Sequence, residues 1–291
     1  MSSQQSENVR RMDDHLLNRW VTAMRGARLS ERTVVERKQT IARIIRYTET
    51  GAHLFTTDQL ADWFASLPYE VSTNSRATYM AQIRAWQTWL VLQGVRDDDP
   101  TVRLIQPRAE KGQARPITDA QLVRVLNSQL RQRTRTMLLL AAYQGLRAHE
   151  IAKLRGEDID LVSMKLDVNG KGGKRCKLPL HPVIAAEAHR YPARGYWFHA
   201  RSNRFQPMHR SSASDVMRRA MHRAGVNASA HNLRHWYGSA LRRAGVDLRM
   251  VQELLRHSNL ATTEIYTEVD RSELGEAINL LPSVADLARV A

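Results

Sequence analysis

From Ile159 to Leu180 the apolar spacing of this chain drops to every second residue, and the alternation is broken by Asn169-Gly170 and Gly172-Gly173. Spacing of two reads as strand, and Gly-containing pairs are the turns that join strands into hairpins. The rest of the chain keeps helical spacing. The expected class is therefore mainly α (α+β), with one small antiparallel sheet set among helices.

The first hundred residues read as a four-helix bundle. A leading helix covers about Met12 to Met24. Ser30 is placed to cap a helix carrying Val34, Ile41, Ile44 and Ile45, a shorter helix follows Thr57, and Tyr79, Ile83, Trp86 and Leu90 share a face of the last. Asp97-Asp98-Asp99-Pro100 then breaks the pattern, and Pro107 to Arg115 is polar and basic without clear periodicity. The expected division is a helical domain over 1–106, a linker over 107–116 and a second domain over 117–291. In the second domain Thr118-Asp119 caps a new helix. The apolar block Met137 to Ala142, ended by Gly145, is core that fixes Arg147 and Glu150 on the following turn. Helices resume from about Ser211.

With 43% hydrophobic and 25% charged residues the composition is that of a globular protein, but the net charge is +15. Residues 1–116 hold 17 Lys/Arg against 13 Asp/Glu, and the remainder 27 against 16. A polyanionic partner is expected, with most of the field in the second domain. No apolar run approaches a membrane span and Met1 to Ser6 lack a signal peptide's apolar region, so no membrane partner is expected. Cys176 is the only cysteine, which fits a reducing cytosol. The expected location is the cytoplasm of a bacterial host, at the nucleoid when bound.

His231 and Arg234 stand one helical turn apart in His231-Asn-Leu-Arg234, and that spacing aims an imidazole and a guanidinium at one spot. The pair suits a phosphate: the guanidinium fork matches two phosphoryl oxygens, and imidazole carries a proton at neutral pH. His231 and His235 are also spaced for a metal, but Arg234 would set a positive charge beside the cation and Asn232 stands where the zinc-protease motif has Glu. No metal and no cofactor are expected.

The run from His231 through His257 to Tyr266 resembles the carboxy-terminal signature of the tyrosine site-specific recombinases and phage integrases. Gln144-Gly-Leu-Arg147-Ala-His-Glu150-Ile resembles that family's first arginine box, and Gly170-Lys171-Gly-Gly-Lys174-Arg-Cys-Lys177-Leu-Pro-Leu its lysine-bearing hairpin. The resemblance implies a SAM-like core-binding bundle followed by a catalytic domain of the DNA breaking-rejoining enzyme fold. It also implies roles. Tyr266 attacks the scissile phosphate to give a 3′-phosphotyrosyl link, without ATP, and strand exchange passes through a Holliday junction. Arg147 and Arg234 grip the non-bridging oxygens. Lys171 protonates the departing 5′-oxygen, with Lys174 or Lys177 as alternatives. His231 exchanges a proton with the tyrosine, His257 donates to the phosphate, and Glu150 orients its neighbours. Tyr143 and Tyr237 read as packing residues. At position 256 the family usually carries glycine where this chain has Arg256, a departure that bears on the local backbone and the pose of His257.

Arg37, Lys38, Arg76 and Arg84 of the first domain, with Lys174 of the hairpin, are the candidate DNA contacts. The expected partner is double-stranded DNA with core-type inverted half-sites. The chain would be a monomer or weak dimer when free and a homotetramer in synapsis, resembling a short integrase without an arm-binding domain. Leu274, Ile278, Leu281, Val284 and Leu287 form an apolar tail that either docks on a neighbouring protomer or packs on its own core. The leading function is integration and excision of a phage or mobile element. A Xer-like dimer resolvase, a type IB topoisomerase and a non-catalytic DNA-binding regulator are the alternatives.

Overall fold

A computed structural model describes residues 3–108, 116–169, 175–256 and 271–290 of the chain. Lys171, Lys174, His257 and Tyr266 lie outside the described residues, as do residues 109–115 of the expected linker. The chain divides into two compact units, Met1–Gly112 and Gln113–Ala291.

The first unit is a four-helix bundle of α1 (Ser3–Gly26), α2 (Glu31–Thr48), α3 (Thr57–Ser66) and α4 (Thr73–Leu92). Its boundaries follow from side-chain caps. Ser30 Oγ accepts from the Thr33 amide at 3.1 Å, and Thr56 with Gln59 forms a reciprocal capping box ahead of α3. Helix α1 starts well before Met12, because its first turns are polar and carry no apolar stripe to announce them. Val34, Ile41 and Ile44 of α2 pack with Ile83, Trp86 and Leu90 of α4 and with Trp20 of α1 in one core. Trp20 and Trp86 meet at a ring-centroid distance of 5.0 Å, and Trp86 Nε1 donates to the Ala52 carbonyl.

The second unit contains α5 (Asp119–Asn127), α6 (Gln132–Tyr143), α7 (Ala148–Lys153), β1 (Ile159–Asp160), β2 (Lys165–Asn169) and β3 (Arg175–Pro179). It continues with α8 (Pro182–Ala188), α9 (Arg210–Arg223), α10 (Ala230–Arg243), α11 (Leu248–Leu254), α12 (Arg271–Asn279) and α13 (Val284–Val290). The sheet has the order β1-β2-β3, antiparallel throughout, with Leu166 opposite Leu178 and Asn169 opposite Arg175. From Met137 to Tyr143 every residue of α6 is buried, which makes it the central helix, packed by α8, α9 and α10. Helices resume at Pro182 and not at Ser211. The short α8 is capped by His181, whose Nδ1 accepts from the Val183 amide at 3.1 Å, with Pro182 opening the helix.

The tail folds back on its own unit. Leu274, Ile278, Leu281 and Leu287 are all buried in the core of this unit, and α13 lies against α5. Tyr143 Oη donates to the Pro282 carbonyl at 3.2 Å, tying the central helix to the α12–α13 turn. No helix among the described residues is long and apolar enough to cross a membrane.

Candidate active site

The site starts from the end of α6. Gly145 has φ +59°, the left-handed conformation that terminates helices, and the Leu146 amide reaches back to the Leu140 carbonyl at 3.1 Å. A Cβ at Gly145 would stand 2.6 Å from the Tyr237 ring, so the position needs glycine for space as well as for backbone. Gln144, fully buried, donates to the Pro179 carbonyl at 2.7 Å and accepts from the His181 amide at 3.0 Å. It thereby ties the exit of β3 to the end of α6.

Arg147 is the N-cap of α7. Its amide donates to Glu150 Oε2 at 2.7 Å and its Nη1 to Glu150 Oε1 at 3.1 Å. Glu150, whose side chain is 2% exposed, thus satisfies an orphan amide of the helix start and fixes the arginine. Arg234, on α10, is buried, and its two terminal nitrogens donate to the Gly145 and Leu255 carbonyls. Arg147 Nη2 reaches the Arg256 carbonyl at 3.4 Å. The two arginines therefore meet at the backbone turn after α11, and Arg234 also holds the turn after α6.

Arg256 is the group that sequence reasoning did not place in the site. It occupies the position past the end of α11 with φ +52°, the conformation for which glycine is the ordinary choice. A non-glycine residue there costs about 1 to 2 kcal/mol. Its guanidinium folds inward, and Nη2 meets Glu150 Oε2 at 2.8 Å with both side chains buried. The backbone that the family's glycine would favour is thus kept, and the departure adds a buried cation. The signal was an arginine where a glycine is usual. What it pairs with lies far away in sequence, so the pairing itself was not readable.

Arg147 and Arg256 share the one carboxylate of Glu150, and Arg234 lies beside them on backbone carbonyls, so positive charge exceeds negative here, with Arg234 and Arg256 buried and Arg147 partly exposed. Burial, together with Arg147 and Arg256, pushes Arg234 down to about 9. Burial likewise lowers Arg256, against the raising effect of Glu150. His231 is exposed on the first turn of α10. Burial of part of its ring, and then the charges of Arg234 and Arg147, hold it below the ordinary imidazole value, so it is neutral at pH 7. Its ring meets His235 edge-on at 4.2 Å. The structure therefore brings Arg147, Glu150, His231 and Arg234 together, while Lys171, His257 and Tyr266 belong to segments outside the described residues. Tyr237 is wholly buried and Tyr143 is committed to Pro282, so neither is exposed for attack on a ligand.

In the first unit, Arg37 and Arg84 line one groove with Trp20, Met24 and Trp89, and Lys38 is exposed on α2. Arg76 is differently placed. Its guanidinium donates to the carbonyls of Phe64, Leu67, Pro68 and Val71, between 2.8 and 3.2 Å, and so closes the end of α3. That geometry is a structural one.

The family model for the phage integrase family matches residues 117–273, more than half of the chain. The tyrosine recombinase XerA of Thermococcus kodakarensis is 31% identical over 241 residues, 80% of this chain and 84% of that one. An integrase from mycobacterium phage Brujita is 40% identical, with a TM-score of 0.55, covering 94% of this chain and 97% of that one. Lambda integrase, in a dimer bound to a core site, aligns with a TM-score of 0.69 over 88% of this chain and 99% of that one; at 16% identity the likeness is one of fold. The chain belongs to the phage integrase family and is a tyrosine recombinase, an enzyme of site-specific DNA cleavage and rejoining.

Proposed function

We propose that this recombinase is an integrase that joins and releases a phage or other mobile element, cutting each strand with Tyr266 and passing through a Holliday junction. The observation that carries the reading is the excess of arginine over carboxylate at the Gly145–Glu150 turn, where Arg147, Arg234 and Arg256 converge and Glu150 is the carboxylate that Arg147 and Arg256 share. A scissile phosphodiester supplies a further anion, and its charge grows as the nucleophile attacks, so preorganised guanidiniums favour the transition state over the ground state. Arg147 and Arg234 hold the non-bridging oxygens. Neutral His231 accepts the tyrosine proton, Lys171 delivers one to the leaving 5′-oxygen, His257 donates to the phosphate, and Glu150 keeps Arg147 in place. The bond energy is kept in the phosphotyrosine, so resealing needs no ATP.

The integrase reading is favoured over a Xer-like resolvase by the 40% identity to a phage integrase along nearly the whole of both chains. Double-stranded DNA is the partner, engaged by the basic second unit and by Arg37, Lys38 and Arg84 of the first. Inverted half-sites, two protomers per duplex and a tetramer in synapsis extend the reading, supported by the lambda integrase structures, one a dimer on a core site and one a tetramer on a Holliday junction. In that assembly α13 would leave its place on α5 for a neighbour.

The test uses supercoiled plasmids carrying candidate core sites cloned from the DNA flanking the gene. Integration and excision products are expected only when two sites are present. Relaxation of a plasmid with no site would indicate topoisomerase behaviour, resolution without integration a Xer-like role, and binding without any covalent adduct a regulator.

A further inference from the structure

Arg256 is expensively placed. Its backbone is left-handed, its guanidinium crowds those of Arg147 and Arg234, and its buried Nε has no hydrogen-bond partner among the described residues. Glycine would give the same backbone without these costs. A combination of local costs that the surroundings maintain points to a task for the side chain.

Its contacts say which task. Glu150 Oε2 accepts from both the Arg147 amide and Arg256 Nη2, while Oε1 accepts from Arg147 Nη1. The carboxylate is thus shared between two guanidiniums. Arg256 is sealed, with 8% of its side chain exposed, whereas Arg147 keeps 36% exposed and is the arginine of the three with an open face. We propose that Arg256 is a positioning residue of the cleavage site: by holding one oxygen of Glu150 it limits the pull of that carboxylate on Arg147 and leaves Arg147 free to take the scissile phosphate. The inference rests on the phosphate-gripping role given above to Arg147. Without Arg256, Glu150 would draw Arg147 inward, and the site would lose positive charge where the attacked phosphate gains negative charge. Binding of uncut DNA spreads over many contacts and changes little.

The experiment measures covalent adduct formation on a nicked suicide half-site, beside the half-site Kd and the melting temperature. Arg256→Gln should slow adduct formation by about ten-fold or more while Kd stays within about two-fold, the pattern of an interaction made in the transition state. Arg256→Lys should recover part of the rate by returning a charge to Glu150. Arg256→Gly, which relieves the left-handed backbone, should stay slow although the fold is retained. In a Glu150→Gln background the Arg256→Gln change should add nothing, because the carboxylate it restrains is gone. Wild-type cleavage by Arg256→Gln would overturn the proposal. So would parallel loss of cleavage, binding and melting temperature, or an undiminished penalty in the Glu150→Gln background. Arg147→Gln serves as the separate control: should it cleave normally, the phosphate-gripping reading itself fails, whatever Arg256 does.

Discussion

Replacing Gly145 by alanine strikes the fold and the site through one atom. Two costs add. At φ +59° an L side chain costs about 1 to 2 kcal/mol. The new Cβ would also stand 2.6 and 2.8 Å from two carbons of the Tyr237 ring, which is 1% exposed and packed on every side. Forcing such a core to give way costs roughly another 1 to 3 kcal/mol. The sum, about 2 to 5 kcal/mol, lowers the melting temperature of a domain of this size by roughly 5 to 15 °C. Gly195 is the matched control. It has φ +86°, and a Cβ there would meet nothing within 4 Å, so Gly195→Ala bears only the backbone cost. The difference between the two variants, read by thermal unfolding, isolates the collision with Tyr237. A Gly145→Ala variant no less stable than Gly195→Ala would refute this account of why glycine stands there. The same substitution displaces the carbonyl that Arg234 holds, so cleavage should fall further than DNA binding does.

The pH dependence separates two histidines. His231 sits below its ordinary value of 6.5, so as the proton acceptor it stays competent through neutral pH; the acid limb of the cleavage rate should lie below pH 6.5, and a limb at or above that value would remove His231 from the role. His181, held at about 4 by burial, takes up its proton more readily unfolded than folded. Its contribution is complete above the unfolded pKa and is lost as pH falls from about 6.5 towards 4, up to about 3 kcal/mol. His181→Asn, which keeps an acceptor at the cap of α8 without titrating, should flatten that slope in pH-dependent unfolding; an unchanged slope would assign it to other groups. Lys171→Ala should slow cleavage strongly on a normal 5′-oxygen and far less on a 5′-bridging phosphorothiolate, whose thiolate leaves unprotonated; equal slowing on both would move the general acid to Lys174.

What could be read from the sequence was local. Ser30 and Thr118 announce their helices because a cap acts within three residues, and the α6 block announces itself because a wholly buried helix must be apolar all round. The hairpin was legible from its period, and the clustering of His231 with Arg234 from helical spacing. Features set by distant partners were not. Arg76 reads in the sequence as a candidate DNA contact like its basic neighbours, until the carbonyls ending α3 are seen around it. The short α8 has a histidine cap and too few residues to show a period. Arg256 reads as a backbone departure, and only the fold brings Glu150 to its guanidinium. The apolar spacing of the tail does not say which surface it covers; Leu274, Ile278, Leu281 and Leu287 are buried in the core of their own unit, and α13 lies against α5.

If the arginine cluster presents a phosphate to Tyr266, then Tyr266 is the residue esterified to DNA, and identifying that residue tests the site. Adduct from a nicked suicide half-site would be digested with protease and nuclease and the modified peptide sequenced by mass spectrometry. A 3′-phosphotyrosyl link is expected at Tyr266, absent from the Tyr266→Phe variant, which still binds the half-site. A link at another tyrosine, or an adduct that persists in Tyr266→Phe, would contradict it.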